Sequence, residues 1–267
     1  MTVRSRLDAE LVRRGLARSR EQAAELIAAG RVAVAGQTAA KPATQVSRDA
    51  PVIVSSGDEG PDYVSRGGHK LAGALAVFTG LTVAGKRCLD AGASTGGFTD
   101  VLLRAGAAHV VAVDVGYGQL AWSLRTDPRV TVLDRVNVRS LSPSLVAPPP
   151  AVVVADLSFI SLTLVLPALV ACAAPDADFA PMVKPQFEVG KGRVGAGGVV
   201  RDPADRAAAV RTVCDAAAAL GLGARGITAS PLPGPAGNVE YFVWLRRGAP
   251  PLSEDALRQA IETGPDA

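Results

Sequence analysis

The stretch from residue 87 to residue 246 alternates short apolar segments with helical patterns, and this alternation constrains the fold more than any other feature. The apolar segments, each typical of a buried strand, are 87–90, 109–114, 130–133, 151–155, 179–183, 223–229 and 240–246. The helical segments between most of them are 96–105, 118–125, 163–172 and 203–220. Such a pattern predicts an α/β domain whose mostly parallel sheet is covered by helices on both faces. Ligands of such sheets bind at the carboxyl ends of the strands, which makes strand-end residues the first candidates for a functional site.

The sequence DAGASTGGF follows the first of these strands and opens a helix. Its glycines allow a tight turn and a close backbone approach to a ligand, and the helix N-terminus offers N–H donors to a carboxylate or phosphate. Gly92 and Gly96 lie four residues apart, which does not fit the dinucleotide-binding spacing, and no Gly-Lys-Ser/Thr follows, so a P-loop fails as well. An acid before a spaced glycine loop suits S-adenosylmethionine, because its amino-acid part carries an ammonium and a carboxylate. A purely structural strand-to-helix turn is the alternative. The candidate cofactor-binding residues of this loop are Asp90, Gly92, Ser94, Thr95, Gly96, Gly97 and Phe98.

Two further acids end the next two strands. Asp114 follows the apolar run 110–113 and lies where a carboxylate hydrogen-bonds ribose hydroxyls in related sheets. Asp134 ends the strand after that, and Asn137 lies close to it in sequence. We therefore predict a ribose contact for Asp114 and adenine contacts for Asp134 and Asn137.

Four charged residues, two lysines and two acids, lie at strand ends or helix starts. Lys70 follows the sequence SRGGH, Asp156 ends the strand at 152–155, Lys184 ends the strand at 179–183, and Glu240 precedes the sequence YFVW. Three of them border strongly apolar segments, where an unpaired charge is costly. Convergence at one sheet edge would let the four charges neutralise one another. For each residue taken alone, an ordinary ion-paired charge at a strand end is the alternative.

Such a set suits methyl transfer to a ribose 2′-hydroxyl, a weak nucleophile that must lose its proton as it attacks the sulfonium methyl. A lysine acts as a base only where burial or nearby positive charge lowers its pKa. The hypothesis is that Lys184 deprotonates or orients the hydroxyl, that Asp156 and Glu240 hold the lysines, and that Lys70 positions the ribose or a phosphate. Asp156 is counted among the candidate cofactor contacts as well.

Residues 4–54 show a separate pattern of two helices followed by strands. Ser5 and Ser19 are the predicted N-caps of the helices, and Gly15 and Gly30 are predicted to end them. The first 50 residues hold nine basic and five acidic residues, whereas the net charge of the whole chain is only +3. This local excess of basic residues indicates RNA phosphates as partners, with a solvated helical surface as the alternative. The candidate RNA-binding residues are Arg4, Arg6, Arg18 and Arg20.

These patterns divide the chain into a small α+β RNA-binding domain over residues 1–58, a linker over 59–66 and a catalytic domain over 67–267. The chain has three cysteines with no metal-ligand or redox spacing, which predicts buried free thiols, no metal site and a cytoplasmic protein. The uncharged stretch 157–175 has the length of a membrane span. Because it contains several polar residues and Pro167, we predict a buried loop and helix there and no membrane partner.

Motifs along the whole chain resemble those of the TlyA family of rRNA methyltransferases, some of which are labelled hemolysins. The stretches that carry the resemblance are YVSRGGHKL (63–71), LDAGASTGGFTD (89–100), VDVGYGQLAW (113–122), ADLSFISL (155–162), VKPQFEVGKG (183–192), GGVVRDP (197–203) and NVEYF (238–242). The resemblance implies a Rossmann-like, FtsJ-type methyltransferase domain and an N-terminal domain similar to an RNA-binding ribosomal-protein fold. The K-D-K-E tetrad of the FtsJ type matches Lys70, Asp156, Lys184 and Glu240 in order.

The resemblance also implies S-adenosylmethionine as cofactor and ribosomal RNA within ribosomal subunits as partner. The implied product is 2′-O-methylcytidine in the large subunit, and in longer members also the small subunit, which sensitises ribosomes to capreomycin-type cyclic peptides. Three alternatives are a non-catalytic ribosome-assembly factor that binds RNA, a pore-forming hemolysin and a nicotinamide-dependent dehydrogenase. The intact glycine loop argues against a non-catalytic assembly factor. A pore-forming hemolysin is disfavoured because no segment is convincingly amphipathic or membrane-spanning, and a dehydrogenase is disfavoured by the glycine spacing.

Overall fold

The structure, a computed structural model, describes residues 4–54 and 63–265. The chain divides into two compact units between Asp62 and Tyr63, and each is described here by itself. Residues 59–62 of the predicted linker lie outside the described residues. Residues 63–66, also predicted as linker, belong to the second compact unit.

The first unit is a small α+β fold with the elements β1 (Arg4–Arg6), α1 (Leu7–Arg13), α2 (Arg20–Ala28), β2 (Val32–Val34), β3 (Gln37–Thr38), β4 (Gln45–Ser47) and β5 (Val52–Val54). Strands β1 and β4 form a two-stranded antiparallel sheet, and the other three form an antiparallel sheet in the order β3-β2-β5. Apolar side chains from both helices and the strands form its own core, with Leu7, Leu11, Ala23, Ile27, Val32 and Val46 buried.

The ends of the two helices follow the sequence signals with one exception. Ser19 is the N-cap of α2 and accepts a hydrogen bond from the Gln22 backbone N–H, as predicted. Gly15 and Gly30 both adopt left-handed φ, 71° and 68°, just after the helices, a conformation that glycine adopts without strain. The prediction for Ser5 is wrong. Strand β1 runs directly into α1, so the N-cap is the next residue, and the Ser5 hydroxyl hydrogen-bonds a Glu10 carboxylate oxygen.

The second unit contains a seven-stranded sheet in the order β11-β12-β10-β9-β6-β7-β8. The five strands from β10 to β8 are parallel, and β12 and β11 continue the sheet antiparallel at one edge. The strands are β6 (Arg87–Ala91), β7 (His109–Asp114), β8 (Val130–Asp134), β9 (Val152–Ala155), β10 (Asp178–Val183), β11 (Leu222–Ala229) and β12 (Tyr241–Arg247). The α-helices are α3 (Gly67–Val77), α4 (Gly97–Arg104), α5 (Trp122–Arg125), α6 (Pro143–Val146), α7 (Leu166–Cys172), α8 (Pro185–Glu188), α9 (Pro203–Ala219) and α10 (Glu254–Glu262). Short 3-10 turns occupy Val138–Ser140, Leu162–Leu164, Lys191–Arg193 and Ala196–Gly198.

The central strands are apolar along their length because both of their faces are covered. Alternate residues of each strand point to opposite faces and enter two separate clusters. Leu89, Val111 and Val153 belong to one cluster, whereas their neighbours Cys88 and Val110 belong to the other. The prediction of a mostly parallel α/β sheet covered on both faces is therefore confirmed. The three cysteines are buried free thiols, as expected.

The structure differs from the sequence predictions in two places. The helix expected over 118–125 is limited to α5, because the preceding turn folds back so that the Ala121 N–H donates to the Thr95 carbonyl. Helix α10 was not predicted; Ser253 caps it, and its Leu257 and Ala260 pack on the main core. The stretch 157–175 forms a loop followed by α7, and no helix among the described residues is long and apolar enough to cross a membrane.

Candidate active site

The carboxyl ends of the parallel strands bring the predicted site residues of the second unit to one edge of the sheet. Asp90 lies near the end of β6, and Asp114 and Asp134 end β7 and β8, where the register pairs them with each other. Asp156 and Lys184 directly follow β9 and β10. The parallel register therefore brings these strand-end residues to the same edge of the sheet, as the sequence pattern predicted.

Lys184 and Asp156 form an ion pair whose Nζ and Oδ1 atoms are 2.5 Å apart. The lysine also donates a hydrogen bond of 3.1 Å to the hydroxyl of Ser158, in the loop that follows β9. The Lys184 side chain is only 9% exposed, whereas Asp156 is 26% exposed, so the pair opens to solvent through the carboxylate. An ion pair at this depth holds both side chains in one geometry.

Lys70 and Glu240 form a second, more deeply buried ion pair. Lys70 Nζ, on α3, donates to Glu240 Oε2 at 2.5 Å, and both side chains are at most 6% exposed. Strand β12 is antiparallel to β10 and its Tyr241 pairs with Val183, so Glu240 and Lys184 occupy corresponding positions of adjacent strands. The sheet register thus sets the second ion pair beside the first.

Asp90 is a fully buried carboxyl with an incomplete set of partners. One oxygen accepts a hydrogen bond of 2.7 Å from Thr99, and the other has no partner among the described residues. The pKa of Asp90 is raised to about 7, chiefly by burial; the nearby charges of Asp156 and Asp114 contribute to the rise, and the Thr99 hydrogen bonds oppose it. A buried acid with a free acceptor atom is suited to receive a cationic ligand group.

The glycine loop after β6 packs so closely against its neighbours that its glycines leave no space for a side chain. Gly92 has φ of 87°, and a Cβ on it would lie 2.3 Å from the backbone oxygen of Asp156. Gly96 has φ of 100° and meets Leu124 at the same distance. Gly97 begins α4, so the first N–H groups of that helix face the loop. The loop therefore packs directly against the Asp156 backbone and the Leu124 side chain, a close approach that glycine allows because it has no side chain.

The comparison with known proteins decides the family. Residues 63–247 match the family model described as FtsJ-like methyltransferase, and residues 5–52 match the S4 domain. The chain is also 62% identical over 270 residues to the 16S/23S rRNA (cytidine-2′-O)-methyltransferase TlyA of Mycobacterium tuberculosis, a match that covers 99% of this chain and 100% of the relative.

The chain belongs to the TlyA family of FtsJ-like methyltransferases.

Other TlyA-family relatives carry a different name. Hemolysin A of Brachyspira hyodysenteriae is 37% identical over 89% of this chain and 98% of its own length. A solved structure from Streptococcus thermophilus, provisionally named a hemolysin, superimposes with a TM-score of 0.77 at 36% identity, covering 98% of this chain and 97% of its own. The full-length likeness confirms the fold class of this TlyA-family chain.

Ser65 is a candidate site residue that the sequence reasoning missed. A Cβ on Gly97 would lie 2.4 Å from the Ser65 hydroxyl and 2.8 Å from the Gly68 backbone nitrogen. The segment before α3 therefore lies directly against the N-terminus of α4, where the glycine loop ends. Tyr63 packs over Gly68 in turn, which leaves no room for a side chain there. The adjacent glycines in the sequence SRGG were the available signal for this close approach.

The remaining predicted cofactor residues of the TlyA-family chain have protein partners of their own. The Asp114 carboxylate accepts hydrogen bonds from the backbone N–H groups of Ser94 and Gly116. Asp134 pairs with Arg125 at 3.0 Å. Asn137 is exposed and caps the 3-10 turn that begins at residue 138. Ser94 and Thr95 are exposed on the loop, whereas the Phe98 ring is buried against Phe242, so only its backbone faces the loop.

The arginines predicted to bind RNA lie in the first unit. Arg6 precedes α1, Arg20 begins α2, and both guanidinium groups reach 3.0 Å from the same buried carboxylate oxygen of Asp8. The hydrogen bond from Arg6 holds the pKa of Asp8 well below its usual range, with a further contribution from Arg20. Arg4 lies exposed on β1, and Arg18 lies just before α2. Asp8 thus fixes two partly exposed cations at neighbouring helix starts.

Proposed function

We propose that this methyltransferase transfers a methyl group from S-adenosylmethionine to the ribose 2′-hydroxyl of cytidine in ribosomal RNA. The observation that carries the proposal is the pair of adjacent ion pairs, Lys184–Asp156 and Lys70–Glu240, beside the glycine loop. This arrangement supplies two cations and two acids at the sheet edge where a cofactor and a hydroxyl can meet.

The residues around the glycine loop fit S-adenosylmethionine. The free oxygen of buried Asp90 suits an ammonium group, and the N-terminus of α4 with the Ser65 hydroxyl suits a carboxylate. The Asp114 carboxylate suits the ribose hydroxyls, and Asp134 and Asn137 suit the adenine ring. When bound, the cofactor supplies a methyl group activated by the sulfonium charge.

The tetrad residues would prepare the ribose hydroxyl for attack. The Lys184 ammonium orients the hydroxyl oxygen by donating a hydrogen bond, and the Asp156–Lys184 pair takes up the hydroxyl proton as the oxygen attacks. Because two coupled groups share that proton, the proton belongs to the pair rather than to either side chain. The Lys70–Glu240 pair holds Lys70 where it can contact a ribose or phosphate oxygen. General acid–base help of this kind contributes about 10²–10⁴-fold to the rate.

The choice of ribosomal RNA rests on the S4 match and on the relatives. The S4 domain carries the Asp8-bound arginines, which suit phosphate contacts. The Mycobacterium tuberculosis relative is named for cytidine 2′-O-methylation of both 16S and 23S rRNA, which supports both ribosomal subunits as substrates here. A protein with this substrate works in the cytoplasm, where ribosomal subunits are assembled. We include in the proposal that the modification sensitises cells to capreomycin-type cyclic peptides.

A methyl-transfer assay tests this function. It uses labelled S-adenosylmethionine, isolated 30S and 50S subunits from a strain that lacks the protein, and wild type beside Lys184→Ala. We expect label in ribosomal RNA with the wild type, a loss of about 10²-fold or more in the variant, and equal cofactor binding by both. Undiminished transfer by Lys184→Ala, or no transfer to either subunit with cofactor bound, would contradict the proposal.

A further inference from the structure

The loops that carry Asp156 and Lys184 are joined by a half-buried carboxylate outside the tetrad. Glu188 ends α8, four residues after Lys184. One of its oxygens accepts a hydrogen bond of 2.6 Å from the Ser161 hydroxyl, and the other accepts one of 2.8 Å from the Leu162 backbone N–H. Both donors lie at the far end of the loop that begins with Asp156.

Five contacts therefore run between residues 156–162 and residues 184–188. The ion pair of Asp156 with Lys184 closes one end, and Glu188 with Ser161 and Leu162 closes the other. Between them lie the Lys184–Ser158 hydrogen bond and a ring contact between Phe159 and Phe187, whose centroids are 5.3 Å apart. The two segments are therefore tied to each other at both of their ends.

The loop is held in a conformation that needs such support. Phe159 has φ of 63°, in the left-handed region, and its side chain is 91% exposed, so burial of its own ring does not fix it. A non-glycine residue in that region persists when the surrounding contacts overdetermine the backbone. The Glu188 hydrogen bonds anchor the chain two and three residues farther on.

Glu188 carries an energetic cost that this anchoring explains. Both of its donors here are neutral groups, and burial raises the pKa of the Glu188 carboxyl above its usual value. An apolar residue would fill the same space without that cost, but it would not tie the two loops together.

We propose that Glu188 is a positioning residue that sets the geometry of the Asp156–Lys184 pair by tying the loop after β9 to α8. This inference rests on the proposed function, because its readout is the rate of methyl transfer. Since a misplacement of about 1 Å can cost on the order of 10²-fold in rate, the loss of this tie is expected to act on the chemical step rather than on cofactor binding.

The test compares Glu188→Ala and Glu188→Gln in the full-length enzyme. Alanine removes both acceptors, and we expect kcat to fall by about 10²-fold with cofactor affinity unchanged. Glutamine keeps a carbonyl oxygen for the Leu162 N–H, and its amide can donate to Ser161, whose own hydrogen can turn to Thr163, 2.7 Å away. The glutamine variant is therefore expected to recover most of the lost kcat. Glu254→Ala, which removes an exposed carboxylate from α10, is the control and should leave kcat unchanged.

A second measurement reads the position of Lys184 without turnover. Trace acylation with acetic anhydride, followed by mass spectrometry, gives the reactivity of Lys184 relative to Lys70, which another element holds. We expect this ratio to rise in Glu188→Ala and to return towards the wild-type value in Glu188→Gln.

The inference is overturned if kcat and the Lys184 reactivity of Glu188→Ala match the wild type. It is also overturned if alanine and glutamine lower kcat, cofactor affinity and melting temperature to the same extent, which is the signature of a merely structural residue. Failure of the proposed function looks different, because Lys184→Ala would then retain activity or the wild type would transfer no methyl group to either subunit.

Discussion

At the scale of single residues, most buried charges of the site have a partner of opposite charge, whereas Asp90 has none. Lys70, Glu240 and Lys184 are almost fully buried, and each has an oppositely charged partner. Asp90 is buried with a neutral donor on one oxygen and, within the described part of the chain, no partner on the other. Such an arrangement destabilises the folded protein when the acid is ionised and prepares it for a cation.

The Asp90 substitution to asparagine should stabilise the ligand-free protein in a pH-dependent way. The pKa of Asp90 is about 7 in the folded chain and 3.8 as its ordinary value, so between these values the folded state keeps a proton that the unfolded state has lost. The stability contributed by this group falls as pH rises through that window and stays low above it. Asparagine does not ionise, so the variant should unfold with the same free energy as the wild type near pH 4. At pH 8 its free energy of unfolding should be higher than that of the wild type by roughly 2–4 kcal/mol.

Denaturant unfolding of wild type and Asp90→Asn at pH 4 and pH 8 measures this difference. The same free-energy difference at both pH values would show that ionisation of Asp90 is not its source. Added S-adenosylmethionine should reverse the order at pH 8, since the ionised acid then gains its cation.

The meeting of Asp156 and Lys184 could be predicted from sequence because strand ends in a parallel sheet lie at one edge. Ser65 and Glu188 could not. Ser65 reaches the site through a close approach of two glycine-containing segments, and Glu188 through partners 26 and 27 residues away on another loop. Neither contact produces a repeating spacing of residues in the sequence. The Asp134 and Asn137 contacts with adenine stay predictions.

At the scale of elements, the turn from β6 to α4 holds the glycine loop against the loop that begins with Asp156. The two segments touch where a Cβ on Gly92 would overlap the Asp156 carbonyl oxygen. The turn depends on glycine for its conformation and for its space, and these two requirements can be separated by experiment.

Gly92→Ala is expected to lower both stability and cofactor affinity. Its φ of 87° costs about 1–2 kcal/mol for any L side chain, and the overlap at 2.3 Å forces the two loops apart. Gly85→Ala is the matched control, because Gly85 has φ of 72° with nothing within 4 Å of a Cβ. The control should show the strain alone and bind the cofactor normally. Equal losses of cofactor affinity in the two variants, measured by calorimetry, would show that the close packing at Gly92 is not what cofactor binding requires.

The starts of α1 and α2 present the arginines of the S4 domain. Arg6→Gln with Arg20→Gln should weaken RNA binding and lower the salt slope of the binding constant by about 1 for each phosphate that is no longer neutralised. Glutamine can still donate to Asp8, so the fold should survive. Arg211→Gln with Arg258→Gln in the second unit makes the same change in net charge and should leave the slope unchanged. An unchanged affinity of the first pair over a salt titration would remove these arginines from the interface.

At the scale of the whole molecule, each unit has a core of its own. The first unit buries its own apolar cluster, and the two clusters on either face of the large sheet lie within residues 63–265. The α/β sheet was predictable because a buried parallel strand is apolar throughout. Helix α10 was missed although the N-cap Ser253 and the helical spacing of Leu257, Ala260 and Ile261 are visible in the sequence.

A fragment of residues 63–267 is expected to fold and to bind S-adenosylmethionine as the full chain does, but to bind ribosomal subunits more weakly. Thermal unfolding, calorimetry and filter binding measure the three properties. A folded fragment without cofactor affinity would show that residues before 63 contribute to the cofactor site.

The chemical position of the transferred methyl group tests the central claim most directly. Subunit RNA methylated with labelled cofactor is hydrolysed in alkali, which cleaves only next to a free 2′-hydroxyl, and the products are separated and identified by mass spectrometry. We predict that the label resides in alkali-stable dinucleotides that contain 2′-O-methylcytidine, and that Lys184→Ala yields none. Label recovered in mononucleotides, with the methyl group on a base, would contradict ribose methylation by this site.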